Sequence, residues 1–393
     1  MTHSNSYGTV TKIFHWLTAA LILAIIPLGL IASDMAYDTN EQLAQKAYLF
    51  SWHKTLGVAV FFVALLRILW ALGHAKPGPL HPERKAETLL AETVHWLLYA
   101  SLVITPLTGW IDHAATTGFA PIWWPFGQSL PFVPKDEGVA HVFGSLHWVF
   151  GKVMIGALIL HIAGAIKHVV IDRDATLRRM WFGTTVAPDT RHHRAPAAAP
   201  LLAAAIVALG VGTAFALQGQ DDDTRETAAL EAVASDWTVT DGTLSIAVTQ
   251  FGRVVEGSFA DWTAAIAFDP EAAENAGEVT VTVNIGSLTL GSVTDQAMGA
   301  DFFDAAAFPT ATFTAPIRKD GEGYVADGTL TLKGQSAPVT LPFTLTLDGD
   351  TATMTGQTTI DRMTYGIGQT MSDETNLAFA VTVDVALTAT RGD

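Results

Sequence analysis

The chain has 393 residues, 49% of them hydrophobic, with 22 Lys+Arg against 38 Asp+Glu and no cysteine. A mean hydropathy of +0.32 is too apolar for an ordinary soluble protein. The missing cysteines exclude disulfides, zinc–thiolate sites, iron–sulfur clusters and c-type haem attachment. Charge is unevenly placed: residues 1–196 hold 15 Lys+Arg and 12 Asp+Glu, whereas 197–393 hold 7 and 26, and all 13 histidines precede residue 197. Two different chemistries are therefore joined, and the acidic half argues against nucleic acid as a partner.

Five apolar runs are long enough to span a bilayer, near 11–32, 52–73, 91–111, 141–168 and 197–217. Only Lys12 precedes the first run, His15 lies inside it and no small-x-small site follows, so it reads as a span and not as a cleaved signal. Lys76, Arg84 and Lys85 lie between the second and third runs; Arg173, Arg178, Arg179, Arg191 and Arg194 lie between the fourth and fifth. The loops at 33–51 and 112–140 hold only Lys46 and Lys135. Basic loops stay cytoplasmic, so the N-terminus is expected in the cytoplasm and the C-terminal half outside, which is the periplasm if the membrane is the inner membrane of a Gram-negative cell. Trp123 and Trp124 fit an interfacial belt. The fifth run is Ala-rich without an ionisable residue and reads as a tether, and QGQDDDTRET opens an acidic linker over 218–230.

From about residue 231 apolar and polar residues alternate, as in TLSIAVTQF, VTVTVNI and LAFAVTVDVAL, and the Asp-Gly pairs at 241–242 and 327–328 read as turns. Many short strands with one inward face indicate an antiparallel sandwich or barrel. This half has neither His nor Cys, so metal hydrolysis and His-based acid–base catalysis are not expected of it. A barrel with an apolar interior binds apolar ligands. The expected organisation is an all-α membrane domain of four helices over 1–196, a fifth helix at 197–217, a linker at 218–230 and an all-β barrel at 231–393.

The loop charges give each intramembrane histidine a depth. His53 and His147 share the outer level; His15, His95 and His161 share the inner one. His147 and His161 lie fourteen residues apart on one helix, roughly 21 Å along one face. A bilayer excludes imidazoles that have no purpose. Neutral imidazole is a good axial ligand for haem iron, and bis-His ligation leaves no open position, which suits electron transfer. Two levels in one four-helix core make two b-type haems the economical reading. Gly57 and Gly151 follow His53 and His147 by four residues, and Gly164 follows His161 by three. They offer clearance for a flat macrocycle or simply mediate helix packing. Lys54 and Lys152 flank the outer level, as partners for haem propionates, as attractors of an anion such as superoxide, or as snorkelling lysines. Arg67, fourteen residues after His53, falls at the inner level as a propionate or quinone contact or as an anchor. His168 reads as interfacial, and His3, His74, His81, His113, His192 and His193 read as loop residues.

FHW around His15, SWHKTLG around His53, ETVHWLLY around His95 and LHWVFGKVMIGALILH across His147 and His161 make region 1–180 resemble the bacterial diheme cytochrome b561 family. That resemblance implies an outer haem on His53 and His147 and an inner haem on His15 and His161. His95 is the rival inner ligand, or else a quinone or propionate contact. It further implies electron exchange with a membrane quinone such as ubiquinone, and some relatives take electrons from superoxide at the outer face. WTVTDGTLSIAVTQFG, ADFFDAAAFPTATF, GTLTLKGQSAPVTLPF and TIDRMTYGIG make 231–393 resemble the YceI-like family of lipocalin-type barrels, which hold polyisoprenoid chains, quinones included. Phe251, Phe302, Phe303 and Phe313 are then expected to line the cavity; Asp304, Arg362 and Tyr365 are expected as structural hydrogen-bonders or rim residues. Gln250 stands where that family often has a histidine. The expected function is oxidoreductase-type electron transfer across the membrane, between a periplasmic donor and a quinone. The alternatives are an isoprenoid or quinone binding or transport protein, and a cytochrome subunit serving a separate dehydrogenase. Whether the chain forms a homodimer stays open at this point.

Overall fold

The structure is a computed structural model that describes residues 6–74, 77–116, 119–123, 125, 127–183, 196–224, 230, 235–272 and 274–392. Lys76, Trp124, Arg191, Arg194, His3, His192 and His193 lie outside the described residues. The chain forms two compact units, each treated by itself.

The first unit comprises Met1–Asp34, Leu49–Ala115 and Pro121–Asp223. Its helices are α1 (Thr9–Asp34), α2 (Asn40–Leu72), α3 (Lys85–Ala115), α4 (Glu137–Lys167), the short α5 (Thr176–Met180) and α6 (Ala198–Thr224). Among the described residues, five helices are long and apolar enough to cross a membrane. The apolar rows of α1 to α4 meet in one cluster of Ile22, Ile25, Val60, Ala64, Leu102 and Met154. α6 packs on α3 and α4, where Ala203 joins Val94, Leu97 and Ala157 and Gly210 admits the ring of Phe150. Small residues let apolar helices approach closely without a hydrophobic drive.

Helix ends differ from the expected spans in ways that local chemistry explains. α2 begins twelve residues before the apolar run, because Thr39 and Gln42 make a reciprocal cap. The 33–51 segment is thus mostly helical. α3 runs on to Ala115 and so takes His113 out of the loop and into its last turn. α4 opens on Asp136, whose side chain accepts from the Val139 amide. It continues as a wider π-helical turn over His168–Asp172, which Arg173 ends at φ 53°. α6 carries on to Thr224, past the expected start of the linker.

The second unit comprises Met35–Tyr48, Thr116–Ala120 and Thr224–Asp393. Its strands are β1 (Trp237–Gln250), β2 (Arg253–Phe259), β3 (Trp262–Phe268), β4 (Asn275–Asn284), β5 (Leu288–Thr289), β6 (Thr310–Asp320), β7 (Gly323–Leu332), β8 (Gln335–Asp348), β9 (Thr351–Asp361) and β10 (Leu377–Arg391), with a short helix α7 (Thr294–Met298). All ten form one antiparallel sheet in the order β3-β4-β6-β7-β8-β9-β10-β1-β2-β5. The sheet curls so that Leu244, Ile246, Val248 and Gln250 of β1 face the interior, and Ser245, Ala247 and Thr249 alternate with them. The seam lies between β1 and β3. There the Asp236 amide donates to Ile266 O at 3.0 Å.

The two Asp-Gly pairs expected as turns lie inside strands. Asp241–Gly242 is in β1 beside a register shift, and Asp327–Gly328 is in β7. Close approach, not turning, requires these glycines. A Cβ on Gly242 would meet the Trp262 ring at 2.8 Å, and one on Gly328 would meet Thr314 O at 2.2 Å. Two segments of the N-terminal half, Met35–Tyr48 with the first turns of α2 and Thr116–Ala120 between α3 and α4, belong to the same core. Leu43 is 0% exposed in the barrel's main apolar cluster, Phe119 lies 6.0 Å from Phe251, and Asn376 Nδ2 donates to Asn40 O at 2.8 Å.

Candidate functional site

In the helical unit the histidines meet in the expected pairs. The ring centres of His53 and His147 are 6.1 Å apart, and those of His15 and His161 are also 6.1 Å apart. A nitrogen ligand sits about 2.0–2.1 Å from a bound metal, and an imidazole centre lies about 1.1 Å from its own atoms, so two rings facing one ion have centres roughly 6.2 Å apart. Both pairs meet that requirement. His95 lies 5.2 Å from His161, too close to share an ion with it in line.

At the His53/His147 level the second ring nitrogen is engaged. His53 Nδ1 lies 3.0 Å from Ile25 O, and His147 Nδ1 lies 2.8 Å from Thr105 O. With Nδ1–H donating to a carbonyl, Nε2 keeps its lone pair for a metal. The docking is the same on both neighbouring helices. Four residues after each carbonyl stands a glycine, Gly29 on α1 and Gly109 on α3, and the Nδ1–Cε1 edge of the ring comes up against it. A Cβ on Gly29 would come within 2.6 Å of His53, and one on Gly109 within 2.7 Å of His147. Spacing from the nearest histidine on the same helix singles out Gly57, Gly151 and Gly164 and misses these two. Gly29 follows His15 by fourteen residues and Gly109 follows His95 by fourteen, a repeat that could have found them. A Cβ on Gly151 or Gly164 would meet no atom within 4 Å, so space is open beside His147 and His161, while one on Gly57 would touch Ile25 at 3.4 Å.

His15, His95 and His161 line one cavity of about 1190 Å³ together with Arg67, Glu92 and Tyr99. Arg67 lies over the Tyr99 ring at 5.2 Å. It occupies on α2 the place that His161 occupies on α4, fourteen residues beyond the docked histidine. The two lysines behave differently from each other. Lys54 is 8% exposed and within electrostatic reach of Asp112. Lys152 is exposed and lies over Trp148 at 5.3 Å. His168 joins a cluster near the end of α4. Its Nδ1 lies 2.8 Å from Asp174, which also faces His81 at 3.1 Å, and Arg84 and Lys167 pair with Asp172.

The barrel encloses a cavity of about 280 Å³ whose wall includes Phe302, Phe303 and Phe313. Phe251 does not line it. That residue follows the last residue of β1 in the β1–β2 turn, with φ 50°, which turns its ring toward Phe119. Arg362 and Tyr365 are buried structural residues. Arg362 donates to the carbonyls of Ile367, Gly368, Met371, Leu377 and Ala378. Burial pushes its pKa down from the usual guanidinium range. Gln250 and Gln296 also line the cavity.

Fold and sites thus define a membrane protein with paired intramembrane histidines, joined to an antiparallel barrel with an apolar interior. Residues 6–183 match the family model for prokaryotic cytochrome b561, and residues 229–389 match that for the YceI-like domain, so the chain is a cytochrome b561-family segment fused to a YceI-like domain. It is 29% identical over 176 residues to cytochrome b561 homolog 2 of Escherichia coli, covering 44% of this chain and 90% of that protein. It is 40% identical over 97 residues to a UPF0312 protein of Pectobacterium carotovorum, covering 24% of this chain and 50% of the relative. The chain therefore spans about half the length of the curated relatives it matches through the barrel. Among solved structures, BcnA of Burkholderia cenocepacia is 33% identical, with 38% of this chain and 96% of that one covered and a TM-score of 0.36.

Proposed function

We propose that the chain carries electrons across a bacterial inner membrane by way of two b-type haems, exchanging them with a membrane quinone, and that its barrel holds an isoprenoid chain in the periplasm. One observation carries the reading: two histidine pairs with ring spacing of 6.1 Å, set at two levels of one helix. Haem supplies the one-electron chemistry when bound. The chain's own residues set position, tautomer and surroundings. His53 and His147 form one ligand pair, oriented by Ile25 O and Thr105 O. The spacing supports His15 over His95 as the partner of His161. His95, Arg67, Glu92 and Tyr99 then remain in the same cavity as polar contacts for a quinone ring. Loop charge supports placing the His53/His147 level and the barrel on the periplasmic side.

The buried position of Lys54 near Asp112 leaves the exposed Lys152 as the lysine of this pair that could attract superoxide, and a quinol is the other donor considered. The test is haem counted per chain, with reduced-minus-oxidised spectra of the purified full chain. Two haems are expected. His147→Ala should remove one and His161→Ala the other, with His95→Ala keeping both. One haem or none overturns the reading. Rapid reduction by superoxide, lost in Lys152→Ala, would identify superoxide as the donor.

A further inference from the structure

Among the described residues of the barrel wall, two side-chain atoms are buried without a hydrogen-bond partner, Gln250 Oε1 and Gln296 Nε2. Gln250 is 6% exposed at the end of β1, and Gln296 stands on α7. Both side chains line the same cavity of about 280 Å³. An unpaired amide atom in apolar surroundings costs free energy that a leucine would not. The other strongly polar groups there are matched. Trp237 Nε1 donates to Phe268 O at 3.0 Å. Arg362 is the one ionisable group among the described lining residues. Its Nε donates to Ala378 O, its Nη1 to Ile367 O, Gly368 O and Met363 Sδ, and its Nη2 to Met371 O and Leu377 O. All five of its N–H hydrogens are thereby engaged, and none is left for a phosphate.

We propose that Gln250 and Gln296 receive the hydroxyl head of an isoprenoid, an alcohol or a quinol, and select it over a phosphate or a carbonyl head. The inference rests on the reading of the barrel as an isoprenoid holder. A hydroxyl both donates and accepts, so it satisfies Gln250 Oε1 and Gln296 Nε2 alike. A carbonyl only accepts and leaves Gln250 Oε1 unpaired. A phosphate brings charge that no free cation in the wall meets.

The experiment compares binding of five probes to the full chain in detergent: geranylgeraniol, the saturated hydrocarbon phytane, geranylgeranial, geranylgeranyl pyrophosphate and ubiquinol-2. In the unaltered chain the alcohol should bind roughly tenfold tighter than the hydrocarbon, the aldehyde and the pyrophosphate. The paired substitution Gln250→Leu, Gln296→Leu should erase that preference while phytane binds as well or better, which also reports an intact fold. Ubiquinol-2 losing affinity in the same variant identifies a quinol source; loss for the alcohol alone identifies a polyprenol. Equal binding of alcohol and hydrocarbon, tightest binding of the pyrophosphate, or a preference that survives the substitutions overturns the head site and leaves the isoprenoid reading standing. Binding of none of the probes overturns both.

Discussion

Gly109 and His147 meet so closely that no side chain fits between them: a Cβ at residue 109 would stand 2.7 Å from Nδ1 of His147, the atom that reaches Thr105 O at 2.8 Å. Gly29 holds the same relation to His53. Gly109→Ala or Gly29→Ala should push the ring off its carbonyl and weaken ligation at that level by about 10–100-fold. Haem content should fall from two per chain to about one, seen as loss of one component of the difference spectrum. Gly212→Ala, with nothing within 4 Å, should keep both.

Arg362 is 2% exposed and bonded to five carbonyls of its own loop and β10. Arg362→Met keeps much of the volume but orphans those oxygens. A loss of about 3–5 kcal/mol is expected, since each buried acceptor left unpaired costs about 1–3 kcal/mol and part of the loop relaxes toward water. Denaturant unfolding followed by the β-sheet circular dichroism signal checks it. Lysine should rescue little, since an ammonium offers three donors without the fork.

Leu43 is fully buried in the same apolar cluster as Val255, Phe259 and Tyr365. Leu43→Ala should lower barrel stability by about 2–5 kcal/mol. A fragment holding only residues 235–392 should melt below the barrel in the full chain, which calorimetry of the two will compare.

Burial pushes the Asp174 carboxyl up, but hydrogen bonds from Thr176 and His168 outweigh it and hold it below the ordinary carboxylate range. A depressed carboxylate stabilises the fold above its unfolded value of about 3.9, and that contribution is lost as pH falls through the lower folded value. The ties from Asp174 to His81 and His168 should therefore hold from neutral pH down to about 4 and open below it. Hydrogen exchange over residues 173–180 should accelerate only in that acid range. In Asp174→Asn it should already be fast at neutral pH.

The histidine pairs are readable in the chain because depth and helical spacing are one-dimensional quantities. His147 and His161 fall fourteen apart on one apolar run, and loop charges order the rest. The docking of each ring is not readable as contact, because Gly29 and Gly109 lie on other helices and act only through a three-dimensional approach. The start of α2 is present as Thr-x-x-Gln in residues 39–42, yet hydropathy alone draws the boundary at the apolar run. Asp241–Gly242 and Asp327–Gly328 mislead for a related reason. Glycine marks either a turn or a close approach, and only the neighbouring strand says which. Alternation of side chains is enough for the barrel and for Phe313 on β6, whereas the consecutive Phe302 and Phe303 stand in a turn segment before β6 and are found only through the family motif, and Phe251 is missed because its turn reverses its direction.

Arg67 stands on α2 where His161 stands on α4. The bundle is therefore balanced at one end, with a docked imidazole from each of two hairpins, and lopsided at the other, where one of the two corresponding positions holds a fixed positive charge. On the function proposed above, an added electron is welcomed more at the lopsided end than at the balanced one. A downhill slope toward Arg67 would then be inherent in the chain, set by a single departure from twofold likeness.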